Sequence, residues 1–134
     1  MSQMTDADRE QLRHLTEVGW VDACMAKDWD AAVGMCTEDV NYMAADLPLL
    51  QGRDALKGFL SGFPDMSEFQ QTLVSIAGDA ELAVMQVSFG GTFGVDGQDM
   101  SADGKGLASA TKRDGEWQFS AVCWNWNAPP APAD

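Results

Sequence analysis

The feature that most restricts what this chain can fold into is a change of apolar spacing at Phe63. Before it, apolar side chains recur at three- and four-residue steps. After it, the chain reads as strands cut by glycine-containing turns. In the first stretch Thr5 is a helix cap, and Asp6, Asp8 and Glu10 sit where a helix dipole favours acids. Leu12, Leu15, Gly19, Trp20, Ala23 and Cys24 form one inward stripe, and this helix fades near Lys27. Asp28 caps a short second helix, with Trp29, Ala32, Val33 and Cys36 at i, i+3, i+4 and i+7. A short strand over Asp39–Ala44 and a loop through Pro48 lead to a third helix, Arg53–Phe63. Leu56, Phe59, Leu60 and Phe63 give it the same spacing, and Gly62 and Pro64 end it.

Strands are then expected at Glu68–Ala77, Leu82–Phe93, Ser101–Lys112 and Glu116–Asn125. Gly78-Asp79, Asp96-Gly97 and Asp114-Gly115 mark the turns between them. Asp103-Gly104 marks an irregularity or bulge inside its strand. Helices gathered ahead of an antiparallel meander argue an α+β fold, with three N-terminal helices packed on a strongly curved, mostly antiparallel sheet. Residues 1–127 form a single domain on this reading, and 128–134 a Pro-rich flexible tail that cannot pair into a sheet.

Composition narrows the function. With 21 Asp+Glu against 8 Lys+Arg the net charge is −13, so phosphate backbones and anionic lipid surfaces are repelled: no nucleic acid and no membrane partner is expected. Met1–Glu10 is polar and acidic, unlike a secretory leader, and no apolar run is long enough to span a bilayer. Three cysteines, Cys24, Cys36 and Cys123, without C-x-x-C spacing fit free thiols in a cytoplasmic protein. His14 is the single histidine and reads as a solvated surface residue; no metal site or cofactor is expected.

Several runs together resemble a known family. They are Lys27-Asp28-Trp29-Asp30-Ala31-Ala32, Thr37-Glu38-Asp39-Val40, Leu50-Gln51-Gly52-Arg53-Asp54-Ala55-Leu56, and Lys112-Arg113-Asp114-Gly115-Glu116-Trp117-Gln118-Phe119 followed by Trp124-Asn125. In order and spacing they resemble the SnoaL-like branch of the nuclear transport factor 2-like superfamily. The resemblance implies a cone-shaped α+β half-barrel with an apolar pocket, as a homodimer. Its members include polyketide cyclases, ketosteroid isomerases, dehydratases and epoxide hydrolases, so the fold follows more directly than the activity.

The isomerase chemistry of that superfamily uses a carboxylate base and an oxyanion hole of tyrosine and protonated aspartic acid. Carried over residue by residue, those positions fall on Trp20, Met43 and Ala108, none of which can repeat the mechanism. The same correspondence implies a ligand pocket lined by Trp20, Cys24, Met43, Phe59, Leu60, Met85, Val87, Phe89, Ala108 and Trp124. Such a wall suits a neutral hydrophobic or ring-containing ligand. Asp46, in the loop after the first strand, is the one candidate for acid–base work at the rim, with Asp22 the other nearby carboxylate. Two classes therefore stand: a cyclase-, isomerase- or dehydratase-type enzyme with an unidentified acid–base pair, or a non-catalytic module that binds an apolar ligand or acts through its dimer. The outer face of the last strand is expected to carry Trp117, Phe119, Ala121 and Cys123, and to pair with a second copy.

Overall fold

A computed structural model describes residues 2–133. The first helical stretch is one rod in three parts: α1 (Asp6–His14), a π-helical turn (Leu15–Gly19) and α2 (Trp20–Met25). Its N-terminus is a capping box, in which the Thr5 hydroxyl accepts from the Asp8 backbone N–H and the Asp8 carboxylate accepts from the Thr5 N–H, both at 3.0 Å. Lys27 closes the rod in a left-handed conformation, φ 56°. After it come α3 (Trp29–Gly34), β1 (Cys36–Met43), β2 (Leu50–Gln51) and α4 (Arg53–Ser61). The long strands follow: β3 (Met66–Gly78), β4 (Leu82–Val95), β5 (Gln98–Arg113) and β6 (Glu116–Trp126). A two-residue strand, β7 (Ala131–Pro132), ends the description.

The sheet runs β2-β1-β6-β5-β4-β3, all neighbours antiparallel except β1 with β6, which are parallel. It is open, since β3 does not pair back to the β1 end. The three helices, counting α1–α2 as one, pack against its concave side. Asp96-Gly97 and Asp114-Gly115, all at positive φ, make the two-residue turns between β4 and β5 and between β5 and β6.

Three expectations are corrected here. Cys36 does not extend the second helix: Met35 is its C-cap, and Cys36 opens β1, buried and 3 residues ahead of the expected strand start at Asp39. The closing residues do pair, for Ser101 and Met100 of β5 register with Ala131 and Pro132. Proline's missing donor is tolerated because this is an edge beyond the end of β6, and Ala133 N–H donates to the Asp99 carbonyl at 2.8 Å. Finally, Trp117 and Phe119 are buried against the helices instead of facing outward. A bulge is the reason. Phe119 pairs with Ala110 and Ala121 with Ser109, so Ser120 has no partner and the alternation of β6 is inverted beyond it. Trp117 and Phe119 before the bulge, and Val122, Trp124 and Trp126 after it, all face the concave side.

The rod is tied to the sheet by a buried carboxylate. Asp8 is 2% exposed, and its Oδ1 accepts from Lys112 Nζ at 2.9 Å and from Trp117 Nε1 at 3.1 Å. The Thr5 backbone N–H first, then Lys112 and Trp117, hold this carboxyl well below the usual carboxylate range. A carboxyl whose folded value is depressed contributes stability that is complete above the ordinary aspartate value, about 3.9, and is lost as pH falls below it. Asp8→Ala should therefore lower the melting temperature at pH 7. Between pH 5 and 2 the wild type should lose its advantage over the variant, in thermal melts followed by circular dichroism.

Candidate functional site

The concave side is not filled. Between helices and sheet lies a cavity of about 120 Å³, walled by aromatic and aliphatic side chains. The first wall depends on the π turn. Leu12, Thr16 and Trp20 are buried at four-residue steps, and in a regular α-helix each such step overshoots by about 40°. The wider turn at Leu15–Gly19, closed by the Trp20 N–H donating to the Leu15 carbonyl, absorbs that drift and keeps Thr16 and Trp20 on one face. Nothing in the apolar spacing signalled Thr16. The Trp20 indole meets Phe119 edge-on at 5.8 Å, and its Nε1–H has no partner among the described residues.

Most of the expected lining is there. Trp20, Cys24, Phe59 and Leu60 line the helix side, and Val87, Phe89, Ala108 and Trp124 the sheet side. Two positions are corrected. Met43 is 37% exposed on the outer face, because β1 turns Val40 and Tyr42 inward; strict alternation from Val40 leads to Tyr42. Met85 is fully buried one step deeper, in solid core, where its sulfur takes the Thr16 hydroxyl at 3.8 Å. Asp46 occupies an exposed turn with φ 61° and does not line the cavity, nor does the exposed Asp22. His14 is exposed on the rod.

The residues not foreseen complete an aromatic circuit. Tyr42 meets Phe59 at 5.6 Å, Phe59 meets Phe63 at 6.0 Å, and Phe63 meets Phe93 at 5.6 Å, all edge-on. Phe93 stacks on Trp126 at 6.0 Å, and Trp126 meets Trp124 at 4.8 Å. Trp124 Nε1–H donates to the Tyr42 hydroxyl at 2.8 Å and closes the loop. Phe93 and Trp126 were legible in the strand period, at even steps from Phe89 and Trp124. Each edge-to-face pair adds roughly 0.5–1.5 kcal/mol beyond burial, which sets the rings without a tightly filled centre.

Phe89 is admitted by a glycine. The β4–β5 ladder is unbroken from Leu82–Thr111 to Val95–Gln98, so Asp103-Gly104 is not the bulge expected there. Gly104 serves close approach instead: a Cβ on it would strike the Phe89 ring and lie 2.6 Å from the Asn125 carbonyl oxygen.

The chemistry of this wall is limited. No lining residue is a carboxylate, histidine, lysine or arginine. Burial pushes the Cys24 thiol up to about 12 and raises the Tyr42 phenol well above its ordinary value, the Trp124 hydrogen bond only partly opposing it. Both are protonated at neutral pH, so the wall offers donors and no base. Among the described residues no three His, Cys, Asp or Glu side chains gather to hold a metal ion.

The SnoaL-like domain profile matches residues 18–119 of the chain. The protein belongs to the SnoaL-like family. Among solved structures, a ketosteroid isomerase-like protein from Erwinia carotovora atroseptica superposes with TM-score 0.75 at 19% identity, covering 84% of this chain and 91% of that one. Hexachlorocyclohexane dehydrochlorinase LinA-type3 from Novosphingobium barchaimii LL02 gives 0.78 at 13% identity, covering 95% and 90%. A protein of unknown function with a cystatin-like fold from Nostoc punctiforme gives 0.78 at 12%, covering 95% and 96%. At these identities the likeness establishes the nuclear transport factor 2-like cone fold. No protein of curated function matches the sequence. No helix among the described residues is long and apolar enough to cross a membrane.

Gly104→Val should displace Phe89 and cost about 1–3 kcal/mol, typical of overpacking. Chemical denaturation should read that loss, and Phe89→Ala in the Gly104→Val background should recover part of it.

Proposed function

We propose that this SnoaL-like protein binds an uncharged, ring-containing small molecule in the cavity, without abstracting a proton from it. The observation that carries this reading is the wall itself: a closed aromatic circuit with no side chain that is a base at neutral pH. A dry apolar cavity of about 150 Å³ takes benzene, so at about 120 Å³ this one limits its ligand to a single ring. The net charge of −13 disfavours carboxylates and phosphates at the mouth. The enzyme reading draws support from structural neighbours such as the dehydrochlorinase, but here a proton acceptor would have to come with the ligand. We place the protein in the cytoplasm, on its free thiols.

We propose further that the protein is a homodimer. Met43, Cys123 and Leu107 lie in register across β1, β6 and β5 on the outer face, opposite Gln86 of β4; Asn41, Ala121, Ser109 and Val84 form the next row. Met43, Leu107 and Val84 are 37%, 52% and 42% exposed. Neither row contains a charge, so a chain repelled by its own copy elsewhere can approach it here, with each row meeting its two-fold mate.

Titration with acetophenone at pH 7 should quench tryptophan fluorescence saturably, while benzoate should not; an equal response to benzoate defeats the neutral-ligand reading. Light scattering should give twice the chain mass of 14.4 kDa for the wild type and a single chain mass for Leu107→Arg. A monomeric wild type at micromolar concentration removes the dimer.

A further inference from the structure

The cavity wall carries two polar groups of opposite sense whose capacity the protein does not use up. The first is the Tyr42 hydroxyl. It accepts the Trp124 Nε1–H at 2.8 Å, and since indole only donates, that bond occupies an oxygen lone pair and leaves the phenolic proton free. No described group accepts it. The donor behind it polarises the hydroxyl and strengthens what it can give.

The second is Gln71. Its Nε2 donates to the Thr16 carbonyl in the π turn at 2.8 Å. A carbonyl can only accept, so this bond fixes which end of the amide is which. The amide oxygen is left facing no donor among the described residues, and Gln71 lines the cavity. It is the one amide or carboxyl side chain on the wall. Trp20 supplies a further unspent N–H from the helix side, but no comparable acceptor accompanies it.

Topology sets the two groups apart. Tyr42 belongs to β1 and Gln71 to β3, and the path from one to the other crosses β6, β5 and β4. The curl of the sheet brings both, from strands near opposite ends of its order, to the lining of the same largely aromatic cavity.

We infer that the cavity selects a neutral ring molecule that is polar at both ends: a hydrogen-bond acceptor such as a ketone oxygen meeting the Tyr42 proton, and a hydroxyl or N–H donor meeting the Gln71 amide oxygen. This rests on the reading of the cavity as a site for uncharged ring compounds. A site holding an unspent donor and an unspent acceptor in apolar surroundings discriminates against ligands that leave either unpaired.

Four probes of one shape separate the terms: 4-hydroxyacetophenone, acetophenone, 4-ethylphenol and ethylbenzene, titrated calorimetrically at pH 6, where all are uncharged. The hydroxyketone should bind most tightly although it is not the most apolar, with each missing group weakening binding roughly five- to tenfold. Tyr42→Phe should weaken both ketones by about that factor and leave ethylbenzene unchanged. Gln71→Met should weaken the two hydroxyl compounds and leave acetophenone unchanged. The wild-type ranking needs no variant to fold. If affinity simply follows apolarity, with ethylbenzene tightest, the polar pairing is overturned while the ring site stands. If none of the four binds, the ring site itself falls and takes this inference with it.

Discussion

The bulge at Ser120 is the constraint on which the rest of the molecule depends. A strand with strict alternation can present large side chains to one face only at every second residue. In β6, Trp117 and Phe119 keep one parity and Val122, Trp124 and Trp126 the other, and the single unpaired residue lets both sets reach the concave side. In the first set Trp117 packs the base of the cone, where it reaches Asp8, and Phe119 meets Trp20 at the cavity wall. The second set walls the cavity, where Trp124 reaches Tyr42. One extra residue thus joins a solid core to a hollow one in the same strand. It also clears Trp117 and Phe119 from the outer face, where only Ala121 and Cys123 of the expected four remain.

Base and cavity are held by different physics. At the base, a buried charged carboxylate accepts from the Thr5 N–H, Lys112 and Trp117, so the rod meets the sheet in one orientation. Around the cavity, contacts are ring edges against ring faces, individually weak and tolerant of small displacements. The hydrogen bonding there is incomplete at Tyr42 and Gln71.

Much of this was legible in the sequence, and the limits were local. The helix spacing and the Asp-Gly turns placed the three helices and five of the seven strands in order, with strand ends within three residues, because those signals act over a few residues; the two-residue strands β2 and β7, in an expected loop and an expected tail, carry no such signal. Eight of the ten lining positions inferred from the family resemblance do line the cavity. The misses share a cause: period-based reading has no term for an inserted residue. The π turn inserts one into the helix and hid Thr16; the Ser120 bulge inserts one into β6 and sent Trp117 and Phe119 to the wrong face. Met43 was one residue off for a simpler reason, a count that ignored the pleat. Gly104 reads alike in sequence whether it breaks a ladder or makes room for a ring, and only the position of Phe89 distinguishes the two.

The bond between Trp124 and Tyr42 spans 82 residues of chain and sits on the parallel pairing of β1 with β6. The β4–β5 hairpin, by contrast, closes through two residues. Bringing β1 to β6 means closing a loop that contains most of the sheet, an entropic cost that grows with its length and is repaid only when the whole cone is assembled. The site is consequently not a motif that a fragment can carry. Any excursion that separates β1 from β6 dismantles the aromatic circuit at once, so the integrity of the cavity wall and global cooperativity are a single property of this chain.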